Sequence, residues 1–336
     1  MTTSRRLAVL AAAVLLAAPA SARDIKFATL APAGSTWMKV MKDLSKELEA
    51  KTNGQLKFKF YPGGVAGDET DVVKKIRIGQ LQAGGFTGVG LGQIAPETRL
   101  LDAPWLFRSR DELNFIRGKF GQELEDALAR KGFVVLGWTD LGAVYVFSKE
   151  PIAGPDDMKK QKMWVWEGDP IAAAAYQALG VNPIPLSVVD VMQSLQTGMI
   201  DAVYGPPLGV VALQWFQKVK NIYPVPMAQS SGAILISKRF FDSLPADQRA
   251  ALTEISAKEI ARLNRLTDAE NDEALQALKK QGLTLGKMPG PAVMARYEEL
   301  GRAARRRLAG RLFTKDLLDR VEKELAAYRA RTASLR

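Results

Sequence analysis

An α/β fold is the class this sequence predicts, and three observations predict it. Short runs with every second side chain apolar alternate with runs at helical spacing. The second half of the chain repeats that style. The length of 336 residues exceeds one comfortable core and so predicts two domains. Strand alternating with helix builds a sheet covered by helices. No repeat of fixed period is visible.

The first element is an export signal. Arg5-Arg6 form a basic start, Leu7 to Ala18 an apolar run, and Ala20-Ser21-Ala22 a small-residue cleavage site, so cleavage is expected before Arg23. The run is shorter than the roughly 20 apolar residues that span a bilayer. Next, Ile25, Phe27 and Thr29 alternate as a strand. A helix follows, with Trp37, Val40, Met41, Leu44 and Leu48 on one stripe, Ser35 able to cap its start and Asn53-Gly54 ending it. Leu56, Phe58 and Phe60 alternate with Lys57 and Lys59 as a second strand. Asp68 or Glu69 then opens a helix that turns Val72, Val73 and Ile76 inward. Later strands are expected near 162–166, 202–204 and 233–236, and a long polar helix from Ala246 to about Gln281.

Composition removes whole classes of chemistry. Without cysteine the chain has no disulfide, no thiolate nucleophile and no lipid-modified cysteine, and is expected to be freely soluble after export. Without histidine it lacks the commonest general base and zinc ligand, so any enzyme reading rests on carboxylates, Lys, Ser or Tyr. The formal net charge of +11 would suit acidic partners or an anionic surface. Its densest group, Arg302, Arg305, Arg306, Arg307 and Arg311, has only Tyr297 and Phe313 as aromatic neighbours. It reads as a solvated helix face, with docking to an acidic partner as the alternative and no nucleic acid expected.

Other motifs are weak. Gly90-Leu91-Gly92-Gln93-Ile94-Ala95 mimics a dinucleotide fingerprint, but Pro96 follows at once where that fingerprint needs a helix. Gly282 to Met288 falls one residue short of a phosphate loop. Asp68-Glu69, Asp156-Asp157 and Glu167 with Asp169 are carboxylate pairs that capping and solvated turns explain without a metal. No catalytic residue, metal site or cofactor is expected.

An ordered series of segments carries a resemblance. It runs from Ala31-Pro32-Ala33-Gly34-Ser35-Thr36-Trp37 through Tyr61-Pro62-Gly63-Gly64, Asp102-Ala103-Pro104-Trp105 and Gly137-Trp138-Thr139-Asp140. It continues in Pro151 to Val165, Gly198-Met199-Ile200-Asp201-Ala202 and Ile236 to Pro245. In order and spacing these resemble the extracytoplasmic solute receptors of TRAP transporters, the DctP type. The resemblance implies a two-lobed periplasmic-binding-protein-like fold with a hinge, discontinuous lobes and a long interlobe helix. Its expected division is a signal peptide over 1–22, lobe I from 23–146, lobe II from 147–230, a return to lobe I with the long helix over 231–270, and C-terminal helices over 271–336 packing mainly on lobe II. It also implies a periplasmic location and partnership with a small and a large membrane subunit, in some systems with a tetratricopeptide-repeat protein as well.

The resemblance also exposes a departure. Trp164 stands where the family usually carries the arginine that grips a substrate carboxylate, Val144 where many members carry a second arginine, and Gly205 where they carry an asparagine. An indole has a single N–H and cannot match a carboxylate bidentately as a guanidinium does. Strand alternation puts Trp164 and Trp166 on one face. The candidate ligand-binding residues are therefore Trp164, Trp166, Val144, Tyr204 with its hydroxyl, and Gly205. Trp37 and Phe86 are further candidates for which a packed core is the competing reading. An unpaired carboxylate sequestered there would suffer a desolvation penalty of several kcal/mol, so a neutral, largely apolar ligand is expected. The alternatives are an organic cation on the indole faces, with Glu167 or Asp169 as countercharge, a degenerate receptor whose cleft is filled by side chains, and an exported enzyme with two converging acids.

Overall fold

The computed structural model describes residues 22–334, so the export signal expected over residues 1–22 lies, except for Ala22, outside the described residues. The chain starts with β1 (Arg23–Ala28), α1 (Thr36–Lys51), β2 (Leu56–Tyr61), α2 (Glu69–Arg77), β3 (Ala83–Thr87) and α3 (Gly88–Ile94). The expected caps are in place. The Ser35 side chain accepts from Met38 N–H at the start of α1, and Asp68 accepts from Glu69 N–H at the start of α2. A 3-10 turn, Pro96–Asp102, then leads into α4 (Arg110–Arg130) and the long strand β4 (Phe133–Ser148).

The middle of the chain is built from shorter pieces. They are α5 (Pro155–Met158), β5 (Trp164–Trp166), α6 (Pro170–Leu179), β6 (Ile184–Leu186), α7 (Val191–Thr197), β7 (Ala202–Gly205), α8 (Pro207–Ala212) and β8 (Asn221–Ile222). β9 (Ala228–Ser237) and α9 (Lys238–Asp242) return the chain to the first sheet. α10 (Ala246–Lys280), β10 (Thr284–Leu285), α11 (Pro291–Leu308) and α12 (Lys315–Ala333) complete it.

The main sheet runs β10-β8-β4-β9-β3-β1-β2, with β7 also on β4. β1 pairs in parallel with β2 and β3, while β9 is antiparallel to both β3 and β4. β5 and β6 form a separate parallel pair. Period-two alternation sorts the side chains into layers. Ile234 and Ile236 face α1 and α10 with Leu44, Leu252 and Ile255, whereas Ala233 and Leu235 face α2 and α3 with Val73 and Leu91. In the second lobe Phe147, Trp164, Trp166 and Val203 share one core, and Val146, Met163, Val165 and Ala202 the other.

β4 passes from one lobe into the other, and its register breaks between Val135 and Gly137 and again between Asp140 and Gly142. Such irregularities bend a strand and free backbone groups from the ladder. α10 lies across β4 and takes up those groups. Asn264 bonds Trp138 O and Asp140 N–H, and Asn271 bonds Leu141 O and, in α8, Leu208 N–H. The contact is close enough that a Cβ on Gly137 would stand 2.6 Å from Ile260 Cδ1. The long helix is thereby tied to the middle of the strand that joins the lobes and, through Leu208, to α8.

The two C-terminal helices divide their packing, and one sequence expectation, the solvated arginine face, needs correction. α11 packs on α6, and the Tyr297 hydroxyl meets that of Tyr223 at 2.9 Å, but α12 does not join the second lobe. Leu317, Leu318, Val321 and Leu325 pack against Leu113, Ile116, Phe120 and Leu124 of α4, and Arg320 makes two hydrogen bonds to Glu123. Burial of the apolar α4 face explains the placement. Nor is the arginine cluster uniformly a solvated face. Arg305 is buried, donating from Nη1 to Pro104 O at 2.8 Å and from Nε to Glu322 at 3.1 Å, which fixes the turn holding Trp105 at a positive φ of 48°. Arg305→Ala should lower folding stability by about 1.5–3 kcal/mol, the range for hydrogen bonds to a charged group. Denaturant midpoints of the two proteins check it, with Arg306→Ala, at an exposed ion pair, as the near-neutral control.

Candidate functional site

Between the lobes lies a cavity of about 620 Å³. All seven sequence candidates line it: Trp37 from α1, Phe86 from β3, Val144 from β4, Trp164 and Trp166 from β5, and Tyr204 and Gly205 from β7. Pairing in the sheet brings three of them together, since β4 and β7 put Tyr145 opposite Gly205 and Val146 opposite Tyr204. β5 reaches the same place because Met163, just before it, bridges to Ala202.

Trp164 is at once cavity wall and core. It is 1% exposed, its indole N–H donates to Leu186 O at 3.0 Å, and its ring stacks on Tyr204 at 4.9 Å and meets Trp215 edge-on at 5.3 Å. The alternatives of wall or core, weighed for Trp37 and Phe86 as well, therefore do not exclude one another. Phe86 is also buried, and Trp37 is half-buried against Phe27. The Tyr204 hydroxyl is not free. It donates to Asp169 Oδ2 at 2.9 Å and accepts from Trp166 N–H at 3.2 Å.

The sequence reading missed a guanidinium in this cavity. Arg99, on the 3-10 turn, is 3% exposed and lines the wall. Both of its terminal nitrogens have a partner, while its buried Nε has none. Nη1 donates to Asp102 Oδ2 at 2.9 Å, and Nη2 to Asp169 Oδ1 at 2.6 Å, at the start of α6 on the opposite wall. Burial alone would depress the guanidinium pKa, but Asp169 and Asp102 raise it above its ordinary value. Among the described cavity-lining residues Arg99 is the one lysine or arginine. A signal was present in Gly92, within the run set aside as a nucleotide mimic, and in Gly88 just before that run. A Cβ on Gly88 would stand 1.6 Å from Asp102 Oδ2, and one on Gly92 2.6 Å from Arg99 Cδ. α3 is glycine-rich because a buried ion pair fills the space its side chains would need.

Carboxylates also line the cavity. Glu69 accepts from Thr87 N–H, Thr87 Oγ1 and Gly90 N–H. Burial pushes its carboxyl up from 4.5 to about 7 against those three bonds, and Asp68 adds to the rise. Burial likewise pushes Asp102 up from 3.8 to about 6, opposed by Arg99 and by Ser231 N–H. Asp68 joins the walls: Trp166 Nε1 donates to it at 3.0 Å, Val188 N–H at 3.3 Å, and Ser187 Oγ also bonds it. Glu167, a proposed countercharge, is exposed and lies outside the lining. Every lining acid described so far is engaged within the protein. Among the described residues no group of His, Cys, Asp and Glu could hold a metal ion.

Comparison with known proteins gives this geometry its context. The bacterial extracellular solute-binding protein family 7 (DctP) matches residues 27–306. The chain belongs to that family. It is similar to a solute-binding protein of Verminephrobacter eiseniae, at 29% identity over 72% of each chain. It is also similar to the C4-dicarboxylate-binding periplasmic protein DctP of Rhodobacter capsulatus, at 27% identity over 70% of this chain and 71% of the relative. A TRAP periplasmic solute-binding protein of Citrobacter koseri, solved with D-glucuronate bound, superposes with a TM-score of 0.82 at 26% identity, covering 90% of this chain and 99% of that one. DctP-type proteins are two-lobed solute receptors rather than enzymes and work with membrane subunits.

Two expectations follow for this DctP-family receptor. Trp164→Ala should cost about 3–5 kcal/mol of folding stability, the range for a large aromatic removed from a core, whereas Trp164→Phe, which keeps most of the stack, should cost less than half of that in the same denaturant titration. The second concerns pH. A carboxyl whose pKa rises on folding binds its proton more tightly in the native chain. Its stabilising contribution is therefore complete below the unfolded value and lost as pH climbs through the folded one. For Glu69 that window runs from 4.5 to about 7. The thermal midpoint should fall across it, and Glu69→Gln should flatten the fall between pH 6 and pH 7.5; an unchanged slope in the variant would count against a raised Glu69.

Proposed function

We propose that this receptor captures a small, neutral and largely apolar solute between its lobes and delivers it to the small and large membrane subunits of a TRAP transporter. The observation that carries the reading is the cavity wall where Val144, Trp164 and Gly205 converge while both terminal nitrogens of Arg99 are held by Asp102 and Asp169. A ligand carboxylate entering there would find both Nη atoms of Arg99 already paired, with only the buried Nε lacking a partner, and would stand among Glu69, Asp102 and Asp169. Apolar surface buried against the same wall contributes roughly 25 cal/mol per Å² and needs no ion pair. The relatives named for C4-dicarboxylate and D-glucuronate bind acids, so this reading sets the chain apart from them.

The cavity volume speaks against a degenerate receptor with a filled cleft. An organic cation is the second reading, favoured by Glu270, which lines the cavity beside Thr36, its hydrogen-bond donor. It is weakened because Tyr204 covers one face of the Trp164 ring and Glu167 is elsewhere. The proposal includes export with cleavage before Arg23, a periplasmic location, and lobe boundaries near residues 146, 230 and 270. A tetratricopeptide-repeat partner would give an apolar solute a sheltered route to the membrane.

Organic extracts of protein purified without refolding should contain a co-purified apolar molecule by mass spectrometry. The neutral probe N-phenyl-1-naphthylamine should bind the emptied protein and be displaced by that molecule, while succinate and D-glucuronate leave the thermal midpoint unmoved. A small carboxylate bound stoichiometrically, with no apolar molecule, would reject the reading.

A further inference from the structure

Asp169 has four hydrogen-bond donors on its two oxygens. Oδ1 accepts from Arg99 Nη2 at 2.6 Å, Ile171 N–H at 3.0 Å and Ala172 N–H at 3.3 Å, and Oδ2 accepts from the Tyr204 hydroxyl at 2.9 Å. A guanidinium, the N-terminus of a helix and a hydroxyl converging on one carboxylate are what an acid-binding receptor offers to a ligand. Here the acid they hold belongs to the chain itself, and it joins the wall of Arg99 to the wall of α6.

We infer that Asp169 is a built-in carboxylate that occupies the receptor's anion-binding position, so that closure of the lobes needs no charge from the solute and acidic solutes are turned away. The inference rests on the reading that this cavity is the solute site. It adds the residue that sets its charge preference. Three further observations fit. The Arg99–Asp169 pair is buried on both sides, at 4% and 5% side-chain exposure, where an attraction is least screened. The backbone is shaped for the guanidinium, since Gly88 and Gly92 leave the space it fills. Arg99 is also secured from behind by Asp102, whose other oxygen accepts from Ser231 N–H at 2.9 Å, so the charge stays with the first wall when the lobes part.

Removing the internal acid should expose the site to an external one. In Asp169→Ala, acetate should raise the thermal midpoint by about 2 °C at tenfold its Kd, by mass action on the folded state. Equal chloride is the salt control. The wild type, and Asp169→Ala combined with Arg99→Met, should show no acetate-specific rise. A rise of the same size in all three, or none in a folded Asp169→Ala, overturns the inference.

Should Asp169→Ala not fold, Asp169→Asn decides, because it keeps the helix cap and loses only the charge. The ratio of its affinities for 1-anilinonaphthalene-8-sulfonate and the neutral N-phenyl-1-naphthylamine should shift toward the sulfonate by about tenfold relative to wild type, and an unchanged ratio overturns the inference. The acetate arm never calls on an apolar ligand. A wild type that binds no neutral probe would therefore sink the apolar-solute reading while leaving the Asp169 test intact.

Discussion

The buried guanidinium of Arg99, held between Asp102 and Asp169, is the constraint on which the rest of this cleft depends. An unpaired charge at that depth would cost several kcal/mol, so its partners have to be fixed before anything else can be. Asp102 is fixed by β9 through Ser231 N–H, and Asp169 by the first turn of α6. From Asp169 the order passes outward. Its second oxygen holds the Tyr204 hydroxyl, Tyr204 stacks on Trp164, and Trp164 is pinned to Leu186 O. The apolar wall of the cavity is thus oriented by an ion pair that lines the cavity beside it. α3 gives up side chains at Gly88, Gly90 and Gly92 to house that pair and Glu69.

A wall built this way is stiff. Trp164, Trp166, Tyr204 and Trp215 form one aromatic cluster, and the polar atoms that orient it are bonded inside the protein. Little side-chain freedom remains to be lost when a solute arrives, and rotamer ordering is among the larger costs of binding. The same arrangement explains why wall and core are one category here. A wall packed from behind can present a face to a ligand and still carry the stability of a core residue.

Local patterns were legible in the sequence, and long-range pairings were not. The strand alternation at Ile25, Phe27 and Leu56, Phe58, the Ser35 and Asp68 caps and the long helix from Ala246 all appear where spacing and capping residues put them, because each depends on neighbours within a few positions. The face shared by Trp164 and Trp166 was legible for the same reason. Arg99 was not. In Pro96-Glu97-Thr98-Arg99 it reads as a charged turn residue, and its burial follows from Asp169, 70 positions away. Arg305 was lost among its solvated neighbours because its acceptor, Pro104 O, is 201 positions away. The expectation that the C-terminal helices pack mainly on lobe II came from the resemblance alone, and the partner of α12 is α4, some 200 positions earlier.

The comparison with acid-binding relatives turns on whether a positive charge has partners, more than on how many arginines a cleft contains. A guanidinium can grip a ligand carboxylate bidentately only through an edge that no internal carboxylate already holds. In this chain the joining groups are all internal. Arg99 meets Asp169, and Asp68 meets Trp166, Ser187 and Val188. On the proposed reading a solute has little electrostatic work left to do, and its affinity would depend on how much apolar surface it buries. At roughly 25 cal/mol per Å², about 300 Å² of apolar contact corresponds to some 7 kcal/mol before the costs of association are subtracted. On that reading the size and shape of the solute, more than its functional groups, would set selectivity at a wall where Trp164, Tyr204 and Asp169 are already engaged.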